Sequence, residues 1–168
     1  MTTGSEAIPP DASVPEDEPQ VMRMVEVIGV SLDLPGSHPV LSLREMEGAH
    51  RELHFAIGFA EGVALASAWR QVPSRRPLTH EMFTAILERF DVSVAAVRIV
   101  AVESGVFYAE LVMSGRQGKE VVPCRPTDGI TLALRQRLPV PILVAEEVLI
   151  LAGTPAPLPV DPLGEAHR

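Results

Sequence analysis

Aromatic side chains are scarce in this sequence. Five Phe, one Tyr and one Trp among 168 residues mean that the core must be aliphatic, built from Val, Leu, Ile, Ala and Met. The lone cysteine, Cys124, excludes an intrachain disulfide and any zinc site made of cysteines. Lying in an apolar strand, it reads as a plain buried thiol. No apolar run approaches the roughly 18–20 residues of a membrane span. The first ten residues have neither a basic nor an apolar stretch, so a soluble, cytoplasmic protein without membrane contact is expected. Also missing are a glycine-rich phosphate loop, a Gly-x-Ser-x-Gly elbow and a histidine pair at zinc spacing. Positive charge is short as well: 14 Lys and Arg face 22 Asp and Glu, a net charge of −8. An acidic surface repels phosphate backbones. Much of the excess lies at the ends, in Glu6, Asp11, Glu16, Asp17 and Glu18 and in Asp161 and Glu165. The charge of the remainder is near neutral and decides little.

What is present is one domain's worth of alternating pattern. Residues 1–20 are acidic and Pro-rich with nothing to bury, and are expected to be a disordered tail. Residues 21–153 are expected to form the domain, and 154–168 a flexible Pro-rich tail. Val21 to Val30 is almost continuously apolar and β-branched, which suits a strand covered on both faces. Residues 34–39 have turn chemistry. Val40 to Met46 alternates, residues 47–50 read as a hairpin loop, and Leu53, Phe55 and Ile57 face one way on the returning strand. A small-sided helix is expected from Ala60 to Arg70. A second, with Thr79 as N-cap and Glu81 in its first turn, places Met82, Phe83, Ile86, Leu87 and Phe90 at helical spacing on one core face. The aromatics therefore read as mostly core-facing, with no platform for stacking bases.

The order then repeats. Val92 to Val102, Val106 to Met113 and Glu120 to Cys124 read as strands, followed by a helix from Asp128 to about Gln136. A short strand over Ile142 to Val144 and a short helix from Ala145 to about Leu151 close the domain. Glu61-Gly62-Val63-Ala64-Leu65-Ala66 and Asp128-Gly129-Ile130-Thr131-Leu132-Ala133 share a pattern 67 residues apart: an acid, glycine, a β-branched residue, one further residue, then Leu-Ala. The fold class that follows is α+β, with duplicated β3-α units forming two antiparallel sheets packed around central helices.

At these residues the sequence resembles the bifunctional nuclease domain family. Cys124 through Arg135 looks like that family's Asp-Ala-Arg-Pro-Ser-Asp-Ala-Ile-Ala-Leu-Ala core. Residues 141–149, Ile57-Gly58 with Glu61, and residues 76–81 match in the same order. The resemblance implies nuclease activity on DNA and RNA and a homo-oligomer, dimer or higher. The family commonly has an aspartate two residues before the Arg-Pro pair. Here Pro123 stands in that place, which would remove a metal ligand if that aspartate is one.

Phosphodiester hydrolysis needs an activated water and cations for the developing charge. Glu61 and Asp128, at two helix starts, are candidate catalytic residues and candidate ligands for Mg or Mn, with His80 as acid or base. Arg125, Arg76, Arg75 and Thr127 are candidate substrate-binding residues. Each has a plainer reading. Acids in a first helical turn are stabilising without function. Arg125 reads equally as a partner for Asp128 or Glu61, Thr127 as a cap, His80 as an exposed first-turn residue, and the arginines at 70, 75 and 76 as a solvated face. The reading is a metal-assisted nuclease of low sequence specificity; the alternative is a non-catalytic interaction or regulatory module on the same fold.

Overall fold

A computed structural model of the chain describes residues 20–31 and 38–156. The tail expected before residue 20, most of the 34–39 turn and the end of the C-terminal tail lie outside the described residues. The chain runs β1 (Met22–Ser31), β2 (Val40–Glu45), β3 (Glu52–Ala56), α1 (Phe59–Trp69), α2 (Thr79–Arg89), β4 (Ser93–Glu103), β5 (Val106–Gly115), β6 (Gly118–Cys124), α3 (Pro126–Leu134), β7 (Ile142–Ala145) and α4 (Glu146–Ala152). Thr154, assigned by sequence to the loose tail, exchanges two backbone hydrogen bonds with Glu52.

The strands form one seven-stranded sheet in the order β3-β2-β1-β7-β4-β5-β6, not two sheets. The reason is β7. Four residues long, it pairs antiparallel to β1 and parallel to β4, and so stitches the two meanders together. The expectation of two packed layers has a physical counterpart in how far this sheet curls. Phe55 of β3 and Phe107 of β5 stack with ring centroids 4.6 Å apart. Strands five places apart in a flat sheet would be about 24 Å apart at the usual strand spacing. The register shifts at Val27/Gly29, Val94/Ala96 and Ile99/Ala101 are bulges, which increase local twist.

The core is aliphatic, as the scarcity of aromatics requires, with Leu41, Leu43, Leu53, Leu65, Val97 and Ile130 sealed from solvent. Helix α3 is its centrepiece, with seven of its nine residues buried. It reaches that depth because residue 129 has no side chain. A Cβ there would lie 2.9 Å from Val97 Cγ1 and 3.1 Å from Cys124 Sγ. The matching glycine of α1, Gly62, likewise sits against the Pro39 ring, 2.9 Å from where its Cβ would be. The repeated acid-glycine pattern thus marks two helix starts pressed onto their neighbours.

Helix α2 departs from expectation. Only Leu87 of its apolar stripe packs against the core, while Met82, Phe83, Ile86 and Phe90 are exposed, Phe90 at 74%. Its cap is Leu78 rather than Thr79, and the Glu81 carboxylate accepts the Leu78 N–H at 2.7 Å. Glu81 also takes Arg135 Nη1 at 2.8 Å, at the end of α3. Thr84, not the stripe, is the buried residue of α2.

A charge network fastens the β2–β3 hairpin to α4. Arg51 donates to Glu45, only 2% exposed, and to Glu146, which also accepts from Arg23. The hydrogen bonds from Arg51 and then Arg23 draw the Glu146 carboxyl from its ordinary 4.5 to about 2, and Arg51 lowers Glu45. A carboxyl lowered by folding contributes stability above its unfolded value and loses it as pH falls through the folded one. Thermal melts of the wild type should therefore fall steeply from pH 4.5 toward pH 2, and Arg51→Met should flatten that fall. An unchanged pH dependence in the variant would contradict the assignment. Separately, Gly129→Ala should lower the urea midpoint, because overpacking of about 1–3 kcal/mol outweighs the gain of under ~1 kcal/mol in helix propensity. A raised midpoint would count against the close-approach account.

Candidate functional site

The starts of α1, α2 and α3 converge on a groove of about 780 Å³. Each helix carries an acid at its third residue, where a carboxylate suits the positive helix end: Glu61, Glu81 and Asp128. Glu61 Oε2 accepts the Gly58 N–H at 2.7 Å and so caps α1, while its Oε1 meets Arg125 Nη1. Arg125 is itself the N-cap residue of α3, and its Nε donates to Asp128 Oδ2 at 2.8 Å. The Asp128 Oδ1 atom lies 3.1 Å from His80 Nε2. One guanidinium thus joins two carboxylates from opposite halves of the chain, and a histidine from α2 completes the group. Glu61, His80, Arg125 and Asp128 all line the groove.

The protonation states follow from these contacts. Burial pushes the Asp128 carboxyl up, but the hydrogen bonds from Arg125 and His80 overcome it and hold the group below its ordinary value. An ionised carboxylate only accepts, so His80 Nε2 carries the hydrogen of their bond. In the neutral imidazole the lone pair is then on Nδ1, which has no protein partner among the described residues. The Arg125 guanidinium is held charged, first by its hydrogen bond to Asp128. At Cys124, burial foremost and the Asp128 charge after it push the thiol to about 11, so it stays protonated, as a structural thiol should.

Three of the substrate-binding candidates are not in the groove. Thr127 is buried, and its carbonyl accepts the Thr131 hydroxyl at 2.6 Å. Arg75 and Arg76 are exposed on the loop between α1 and α2 but do not line the cavity. The position of Pro123 also becomes clear. Cys124 faces α3, within reach of Gly129, and successive strand residues face opposite ways. Pro123, opposite Glu110 of β5 on the sheet's last strand, therefore points away from Asp128. An edge strand tolerates its missing N–H.

Sequence reasoning missed the rest of the lining. Phe59, Val63, Leu78, Met82 and Phe83 form an apolar wall beside the polar group, and all five are exposed. The available signal was an excess: α1 and α2 each carry more large apolar residues than one buried face uses.

The match to known proteins agrees with the fingerprint around Asp128. The bifunctional nuclease domain model matches residues 41–157, most of the chain. The chain belongs to the bifunctional nuclease domain family. It is also 40% identical over 132 residues to uncharacterized proteins from two strains of Mycobacterium tuberculosis, covering 79% of this chain and 77% of each relative. Within this bifunctional nuclease domain, the four groove residues come from the blocks that carry the family pattern.

A resident divalent metal does not fit the donor set as arranged. Among the described residues, no three His, Cys, Asp or Glu side chains converge to hold one. Arg125 takes the place between Glu61 and Asp128 that a cation would need. Its charge already neutralises the two acids in part. No helix among the described residues is long and apolar enough to cross a membrane.

Proposed function

We propose that the protein is a nuclease of low sequence specificity, hydrolysing phosphodiester bonds of DNA, RNA or both in the cytoplasm, with the α1–α2–α3 groove as its active site. The observation that carries this reading is the Asp128–His80 pair on the groove wall, beside Arg125, in a chain of this family. Asp128 orients the imidazole by accepting Nε2–H, which leaves Nδ1 to take a proton from water as that water attacks phosphorus; the P–O bond to the departing strand breaks with its electron pair on the oxygen, which takes a proton from solvent. Arg125 sits where it can exchange a carboxylate contact for a phosphoryl oxygen and offset the charge that develops there. Glu61 holds Arg125 from the far side. The two halves, each three strands and a helix bearing the acid-glycine pattern, read as copies of one unit. The exposed Ile86 and Phe90 of α2 suit contact with a second copy in a homo-oligomer.

One observation favours the other reading, a non-catalytic interaction module. Arg125 is committed to two carboxylates, which leaves the groove's polar group without a free guanidinium for phosphate. A direct assay separates the two: purified protein with DNA and RNA, each with Mg²⁺, with Mn²⁺ and with chelator. Cleavage by the wild type should fall about 100- to 10,000-fold in Asp128→Ala, the range usual for loss of general acid–base catalysis. Undiminished cleavage by that variant would remove Asp128 from the chemistry. Loss of cleavage in chelator would show that turnover needs a cation besides these side chains.

A further inference from the structure

The apolar wall has no task in the mechanism above, although it forms most of the groove. We infer that it receives an unpaired base, so that the substrate class is single-stranded nucleic acid; this rests on the nuclease reading of the same site. Two aromatic side chains flank the cavity from different helices, Phe59 at the start of α1, 64% exposed, and Phe83 on α2. Val63, Leu78 and Met82 line the same groove. A base offers two flat apolar faces, and stacking on aromatic side chains holds any of the four. A surface that met only the phosphate backbone of a duplex would need cations here and would gain nothing from five exposed apolar side chains.

Size and layout agree with this occupant. At about 780 Å³ the groove lies within the range of cavities that enclose an organic ligand, roughly 300–1,000 Å³. Its polar end is the Asp128–His80–Arg125 group, so a base seated on the wall brings its neighbouring phosphate toward the residues proposed to act on it. The loop that leads into Leu78 carries the exposed Arg75 and Arg76, which suit the backbone of a strand arriving at the rim. In a duplex both faces of each base are covered by its neighbours, and its bases cannot enter without being flipped out. The chain thus reads a strand by the availability of its bases, which also explains low sequence specificity.

The test uses the full-length protein and a short fluorescein-labelled oligonucleotide, alone and annealed into a blunt duplex, with binding read by anisotropy in chelator. The single strand should bind at least ~10-fold more tightly than the duplex. Phe59→Ala and Phe83→Ala should each weaken single-strand binding roughly 5- to 100-fold, the cost usual for one lost stacking contact. Tyr108→Ala, which alters an exposed aromatic outside the groove, should not. Both groove phenylalanines are exposed, so the variants should keep the wild-type melting temperature, and a melt of each checks this. Equal binding of duplex and single strand, no binding of either, or wild-type binding by both groove variants would overturn the inference. If those variants instead dissociate an oligomer in sedimentation and bind the strand normally, the wall belongs to a second copy and the inference fails. Tight single-strand binding without cleavage under any metal condition would leave the base site standing and sink the nuclease reading. Cleavage of duplex and single strand alike would do the reverse.

Discussion

The close approach of α3 to the sheet, allowed by the bare backbone at Gly129, sets the position of Asp128 and of the Arg125 side chain paired with it. With a Cβ at that position α3 would have to lift from Val97 and Cys124. Because it does not, nearly the whole helix is buried, with only Asp128 in its first turn and Leu134 at its end part-exposed. Asp128 is in that turn, one residue before the glycine. The residue that fixes the depth of the helix and the residue that offers the carboxylate are neighbours in sequence. The same pairing at Glu61 and Gly62 brings the second carboxylate to the other side of Arg125. Packing therefore does the positioning, and the ion pairs refine it.

The ion pairs are a poor explanation for stability. Arg125 is 67% exposed, and exposed pairs contribute only about 0–1 kcal/mol each. The charge network that does sit in a drier place is elsewhere, where Arg51 holds the nearly sealed Glu45. The two arginine–carboxylate networks described above differ in character. One fastens a hairpin to α4. The other faces a groove, includes a histidine whose Nδ1 has no protein partner among the described residues, and is lined on its remaining side by apolar residues that water does not favour. An exposed apolar wall beside an ordered polar group is the pairing expected of a binding site.

The fold was legible where one residue pattern had one structural outcome. Alternation located β2, β3 and β5, and the acid-glycine echo located α1 and α3 together with both carboxylates. It was less legible where pairing decided the outcome. Nothing in Ile142–Ala145 shows that β7 would lie between β1 and β4, and so two sheets were expected where one curls. Helix α2 shows the converse. Its period of apolar residues was read correctly as amphipathic, but periodicity cannot say whether the apolar face meets the core or a groove. Here Met82 and Phe83 line the groove. At Thr127 the sequence suggested a hydroxyl at the site, and the depth of α3 buried it. By strand alternation Pro123 lies on the face opposite Cys124.

The central claim is that His80 and Asp128 act as one unit on a bound phosphodiester. A double-mutant cycle on cleavage tests it most directly, with kcat/KM measured for wild type, His80→Gln, Asp128→Asn and the double variant. Groups that act as a unit lose most of their effect with the first substitution. The account predicts that each single variant is strongly impaired and that the double variant is no slower than the worse of the two. Losses that multiply, or a single variant that cleaves at the wild-type rate, would contradict it.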